Sequence, residues 1–149
     1  MSFNVGSVRL TERHARHDPP TLTERAAMHE DARSEFAVLP GIRSSAPAIG
    51  IAGTMTTLAA VHLELEPYDA DAVHGLLLSR EAIERVRDKL SVLPLDVRRR
   101  VPGLEPKRAD VILAGAEIAL AAMDAIGTAH VRVSDRGVRW GLAMDLLDT

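Results

Sequence analysis

Three short segments carry residue types able to hold an anion. In Ile49-Gly50-Ile51-Ala52-Gly53-Thr54-Met55-Thr56-Thr57, an apolar run meets a glycine and then a hydroxyl-rich helix start. A helix N-terminus offers free N–H groups and partial positive charge, and Gly53 would let a phosphate approach the backbone. The plainer account, in which Thr54 only caps a helix after a tight turn, is favoured on pattern alone, because the lysine and glycine spacing of a Walker loop are missing. Gly6-Ser7-Val8-Arg9 sets a hydroxyl and a guanidinium beside a flexible backbone. There Gly6 serves equally well as a bulge residue and Arg9 as a partner for Glu12. Lys107-Arg108-Ala109-Asp110 opens a long helical pattern with basic residues that oppose the helix dipole, so they serve either a ligand or solvent.

Other groups carry less. His14, His17 and His29 have no matching carboxylate cluster and no defined geometry, which argues against a metal site. Ser134 has no histidine placed by sequence to activate it. Arg98-Arg99-Arg100 reads as an exposed turn without chemistry.

The elements that must position these residues alternate between strand and helix. Phe3 and Val5, then Val8 and Leu10, alternate with a phase slip at Gly6-Ser7, which predicts a bulged strand. Thr21 with Glu24 forms a capping box ahead of a helix ending near Pro40-Gly41. Residues 46–52 predict a strand running into a helix through Gly53, and residues 73–78 a second strand. Ser79 caps a helix with Ile83, Val86, Leu90 and Leu93 inside, stopped by Pro94. Pro106 opens a long helix buried along Ile112, Ala116, Ala119, Met123 and Ile126 and ended by Gly127. Val131 and Val133 mark a strand, and Asp135-Arg136-Gly137 turns into a final helix with Val138, Leu142 and Leu146 inside. The alternation predicts an α/β fold, and the absence of a linker predicts that residues 1–149 form one domain.

Composition narrows the function classes. At 149 residues and 46% hydrophobic, the chain has material for a core. A net charge of −3 with mixed signs gives no long-range field for nucleic acid or anionic membrane, and 3% aromatic residues supply no base-stacking platform. The absence of cysteine excludes disulfides and suits a cytoplasmic setting.

Four segments, in order, resemble the Ppx/GppA phosphatases, the exopolyphosphatases and guanosine pentaphosphate phosphohydrolases. They are Asn4-Val5-Gly6-Ser7-Val8-Arg9-Leu10-Thr11-Glu12-Arg13, residues 50–58, Gly103-Leu104-Glu105-Pro106-Lys107-Arg108-Ala109-Asp110-Val111-Ile112-Leu113-Ala114-Gly115, and Val133-Ser134-Asp135-Arg136-Gly137-Val138-Arg139-Trp140-Gly141-Leu142. Val73-His74-Gly75 fits between them, while Trp140 stands where many members carry an acidic residue. The resemblance implies the ribonuclease H-like fold of actin, Hsp70 and the sugar kinases, a mixed sheet flanked by helices. It places residues 1–149 as the second, C-terminal domain of such a phosphatase, lacking the first strands of that domain.

It further implies that the whole enzyme hydrolyses the terminal phosphate of polyphosphate or guanosine pentaphosphate in a cleft between two domains. The Mg²⁺-binding aspartate and water-activating glutamate belong to the first domain and are not found here, so no catalytic residue is expected in this chain and Mg²⁺ only with the missing half. Gly6, Ser7, Arg9, Gly53, Thr54 and Arg108 are the expected phosphate-binding residues. The expected partners are the phosphorylated substrate and either a second copy of the chain or a complementary N-terminal half, with no nucleic acid and no membrane. The competing reading is a non-catalytic module that binds such ligands or another protein.

Overall fold

A computed structural model of the chain describes residues 2–39 and 48–147. The first element departs from expectation. Phe3 and Val5 lie in extended chain, but residues from Ser7 onward form helix α1 (Ser7–His14), not the second half of a bulged strand. The phase slip at Gly6 marks the entry into this helix: Gly6 is its N-cap, with extended φ and ψ of −165° and 144°. From there Leu10 is buried while Val8 is 55% exposed, a helical rather than an alternating division. The Arg, Leu and Glu content of the segment favours helix, and the apolar pair that suggested a strand was too short to decide the period.

Helix α2 (Leu22–Phe36) begins at the expected capping box: Thr21 accepts from the Glu24 backbone N–H, and the Glu24 side chain accepts from the Thr21 N–H. Its expected stop at Pro40-Gly41 lies outside the described residues, as do Ala46 and Pro47 at the start of the next predicted strand. Strand β1 (Ala48–Ile51) leads into helix α3 (Ala52–His62), and a single helical turn α4 (Ala70–Val73) precedes strand β2 (Leu77–Ser79). The strand predicted over 73–78 therefore begins later, because Asp69 accepts from the Asp71 and Ala72 N–H groups and caps a helical turn there. Helix α5 (Arg80–Ser91) is capped by the Ser79 hydroxyl, which accepts from the Ala82 N–H, and buries Ile83, Val86 and Leu90 as expected.

After the short helix α6 (Leu95–Arg98), Pro106 opens a 3-10 turn (Pro106–Arg108), and the long helix α7 (Ile112–Ile126) starts only beyond it. Gly127 ends α7 in the left-handed conformation, φ 68°. Strand β3 (His130–Ser134) and helix α8 (Val138–Leu147) follow.

The sheet has strand order β1-β3-β2, with β1 parallel and β2 antiparallel to β3. Helix α7 lies between two apolar clusters. One side of it meets α3, α5 and the sheet, through Ile112, Leu113, Ala116, Leu120 and Met123. The other carries Ala114 and Ala121 against α1 and α2, where Leu10, Met28, Ala32 and Phe36 are buried and Phe3 packs edge-on to Phe36 at 5.1 Å. A helix apolar on both sides is what two flanking layers require. The expected interior face of α8 is not buried: Leu142 and Leu146 are 61% and 70% exposed. Helical spacing aligns such residues on one stripe but does not determine whether a second surface meets it.

Candidate functional site

The turn from β1 into α3 is sharp. Ala52 adopts φ 68°, the left-handed region, which costs a non-glycine residue on the order of 1 kcal/mol or more. Gly53 follows immediately, at the first turn of α3. Arg108 in the 3-10 turn lies directly over it: a Cβ built on Gly53 would overlap the Arg108 guanidinium. The Arg108 Nε donates to Glu105 Oε2 at 2.9 Å, which orients the side chain across the glycine. The Thr54 side chain faces α7, packing where a Cβ on Gly115 would stand. Arg108 is thus brought from far along the sequence onto the Gly53-Thr54 turn, with Gly115 as the contact that sequence reasoning missed.

Lys107 and Arg108 do not oppose a helix dipole, because both precede the first residue of α7. Gly6, Ser7 and Arg9 sit elsewhere. Helix α1 packs on α2 and α7, and the Arg9 guanidinium is bonded to the carbonyl and side-chain oxygens of Asn4, not to Glu12.

Beside the Arg108 turn is a cleft of about 510 Å³. Its walls come from Thr56 and Thr57 on α3, from residues 65–68, from residues 99–106 and Arg108, and from Asp135 after β3. The loop 99–106 is held against α3 at Gly103, which has φ 81° and approaches the Ala60 carbonyl so closely that no side chain fits. It is anchored underneath by Arg98. This residue was expected in an exposed, inert turn, but it is only 2% exposed and donates to three backbone carbonyls: Leu93 at 2.8 Å, Ala109 at 2.9 Å and Leu90 at 3.2 Å. A guanidinium has five N–H donors in a rigid planar fork, enough to serve three carbonyls on separate segments, and a run of charges in the sequence does not single out which arginine does so. Its neighbours Arg99 and Arg100 line the cleft, and among the described residues neither has an ion-pair partner.

Three carboxylates face these cations. Glu105 is taken by Arg108, and Asp135 accepts a hydrogen bond from the Tyr68 hydroxyl at 2.5 Å. Partial burial, reinforced by that carboxylate, pushes the Tyr68 phenol up to about 12, so it stays a neutral donor. Glu66 has no partner among the described residues. No cluster of three His, Asp or Glu among the described residues could hold a metal ion, and the cleft carboxylates are dispersed, so the donors here do not fit Mg²⁺.

Two further groups were invisible in the sequence. His74 Nδ1 lies 3.4 Å from the Ser134 hydroxyl, but that hydroxyl donates to the Arg136 carbonyl at 2.9 Å and accepts from the Arg136 N–H, which makes it a corner residue and not a nucleophile. Glu117, 3% exposed in the middle of α7, is met by His29 at 3.2 Å, Arg87 at 3.7 Å and Arg25 at 4.0 Å. These three side chains tie α2 and α5 to α7 and stand apart from the cleft.

A mixed sheet flanked by helices, with the strand-to-helix turn after β1 and the Asp135 corner after β3 at one end of it, is the ribonuclease H-like, actin-like arrangement. The chain belongs to the Ppx/GppA phosphatase family, whose sequence profile matches residues 1–149. It is 33% identical over 153 residues to exopolyphosphatase 2 of Mycobacterium tuberculosis, covering 97% of this chain and 48% of that protein. The crystal structure of the Aquifex aeolicus Ppx/GppA phosphatase superposes with a TM-score of 0.89 at 34% identity, over 97% of this chain and 48% of that one. A bifunctional 3-dehydroquinate synthase/phosphatase of Fusobacterium nucleatum is 28% identical over 150 residues, covering 97% of this chain and 22% of that protein. The chain therefore spans about half the length of the exopolyphosphatase and phosphatase structures it matches.

Proposed function

We propose that this chain is the phosphate-holding half of a phosphoanhydride hydrolase, acting on the terminal phosphate of polyphosphate or guanosine pentaphosphate once a complementary N-terminal half completes the cleft. The observation that carries this reading is the seating of the Arg108 guanidinium over Gly53 at the start of α3. A cation, a backbone without a side chain and a helix N-terminus converge there, and each favours an anion. Gly53, the Thr54 backbone N–H and Arg108 are its phosphate-binding groups. Gly6, Ser7 and Arg9, on α1, belong to this site only if the complementary half brings substrate to them. Mg²⁺, which would polarise the transferred phosphoryl group, would take its donors from that half, since the described residues of this chain offer no donor set.

Positioning alone supplies only part of the rate, so the isolated chain is expected to release no phosphate. The test mixes it with the separately expressed N-terminal half of a family member in Mg²⁺ and measures phosphate release. Arg108→Ala should lower the rescued rate by roughly tenfold or more, the loss of one charge-assisted contact. Arg33→Ala, on the exposed face of α2, should leave it unchanged. Any side chain at Gly53 displaces Arg108, so Gly53→Ala is compared in the Arg108→Ala background. A further loss there marks Gly53 as room for phosphate, and no further loss marks it as room for Arg108 only. Release by the chain alone, undiminished in Arg108→Ala, would overturn the proposal.

A further inference from the structure

Among the described residues nothing encloses helix α8, although its sequence is that of an interior helix. Arg139 and Asp145 are its only charged residues. Successive residues turn by about 100°, so Trp140 and Leu142 stand nearly opposite one another, yet they are 53% and 61% exposed, with Met144 exposed on the Trp140 side. None of the close packings between elements among the described residues involves α8, and neither apolar cluster includes one of its residues. A helix apolar on opposite sides, with no continuous polar face, belongs in an interior, and one this short is marginal in water without a surface to bury it. Gly141 is a second, independent sign. It lies inside the helix, where glycine lowers helix propensity, and nothing outside its own helix lies within 4 Å of where its Cβ would stand. The missing side chain of Gly115 in α7 makes room for Thr54, whereas that of Gly141 makes room for nothing described in this chain.

Resting on the reading that a complementary N-terminal half completes this protein, we infer that α8 is the arm by which the two halves assemble. It inserts into an apolar groove of that half, which covers Trp140, Leu142 and Met144 and brings its own backbone close to Gly141. Two observations favour that half over a second copy of the chain. The chain covers 48% of the exopolyphosphatase it matches, so the remainder of such a protein is a body as large as this one. A two-fold pair of α8 helices would also cover one side of each and leave either Trp140 or Leu142 in water, while a groove covers both.

Trp140 is the single tryptophan of the chain, so its fluorescence reports directly on α8. The test titrates the whole chain with the N-terminal half of a family member whose own tryptophans are replaced by phenylalanine. Emission should shift to shorter wavelength and saturate, and quenching by iodide should fall, as the ring leaves water. Leu142→Lys with Met144→Lys should weaken association at least about a hundredfold, since each apolar side chain of this size contributes roughly tenfold or more when buried. Gly141→Leu separates docking from helix formation. Leucine favours helix over glycine and nothing described crowds that position, so the free chain should tolerate the change while association is lost. Circular dichroism checks that each variant keeps the fold. Association undiminished in these variants, Trp140 emission unchanged on association, or halves that do not associate overturns the inference. Emission that shifts with the concentration of the chain alone also overturns it, by seating a second copy on α8. The proposed activity is judged separately. Association that buries Trp140 without phosphate release would leave the inference standing and sink that activity, and release undiminished in Leu142→Lys with Met144→Lys would do the reverse.

Discussion

Glu24 shows how much one side chain does at the start of α2. Its carboxylate accepts from the Thr21 N–H at 2.8 Å, from the Arg16 N–H at 2.9 Å and pairs with His17 at 2.9 Å. The His17 hydrogen bond first, and then the backbone donor of Thr21, hold it at about 2, well below its ordinary 4.5. Between those values the unfolded chain binds a proton that the folded chain does not, so stability rises with pH across that window. The contribution is complete above about pH 4.5 and is lost as pH falls toward 2. Glu24→Gln retains an acceptor for the Thr21 N–H but cannot titrate. In urea unfolding from pH 5 downward, wild type should exceed this variant most at the top of the series and converge with it near pH 2. A gap that stays constant throughout would show that the charge of Glu24 has no role.

The loop of residues 99–106 is an element defined by its two attachments, Arg98 beneath it and Gly103 against α3. Gly103→Ala forces a left-handed φ on a residue with a side chain and drives that side chain into the Ala60 carbonyl. Backbone strain and overpacking each cost about 1–3 kcal/mol, so a loss on the order of 3 kcal/mol is expected in chemical denaturation. A change below about 0.5 kcal/mol, the level of an ordinary surface substitution, would mean that the loop is not clamped there.

On the scale of the whole molecule, β1 and β2 are the edges of the three-stranded sheet among the described residues. Strand β1 pairs with β3, and no strand among the described residues pairs with its other edge, where Ile49 and Ile51 are 65% and 42% exposed. A bulged strand over residues 3–10 would have offered such an edge, but from Ser7 onward that segment is helix α1 and pairs with nothing as a strand. The free edge of β1 supplies the same opportunity, since unpaired N–H and C=O groups beside exposed isoleucines are a template for another strand. We expect the chain to associate in sedimentation analysis at micromolar concentrations and above, and Ile49→Lys to shift it toward monomer, because an edge lysine blocks pairing. The complementary half should compete with self-association if it occupies that edge. Wild-type chain that sediments as a monomer at every concentration would show the edge to be protected.

Much of this protein was legible in its residues because the deciding interactions are local. The capping box at Thr21 and Glu24, the Ser79 cap, the left-handed Gly127 and the alternating β3 each depend on atoms within a few positions, and the ordered motifs identified the Ppx/GppA family. Segments with too few apolar residues to define a period, such as residues 3–10, were misread for that reason. Whether a stripe is buried depends on what meets it, which is why α8 kept its helix but not its interior face. The position of Arg108 over Gly53, the burial of Arg98 beside exposed Arg99 and Arg100, and the histidine and arginines around Glu117 were decided only in three dimensions. A guanidinium is drawn to whichever carbonyls and carboxylates the packed helices leave nearby, and sequence spacing carries no record of those long-range neighbours.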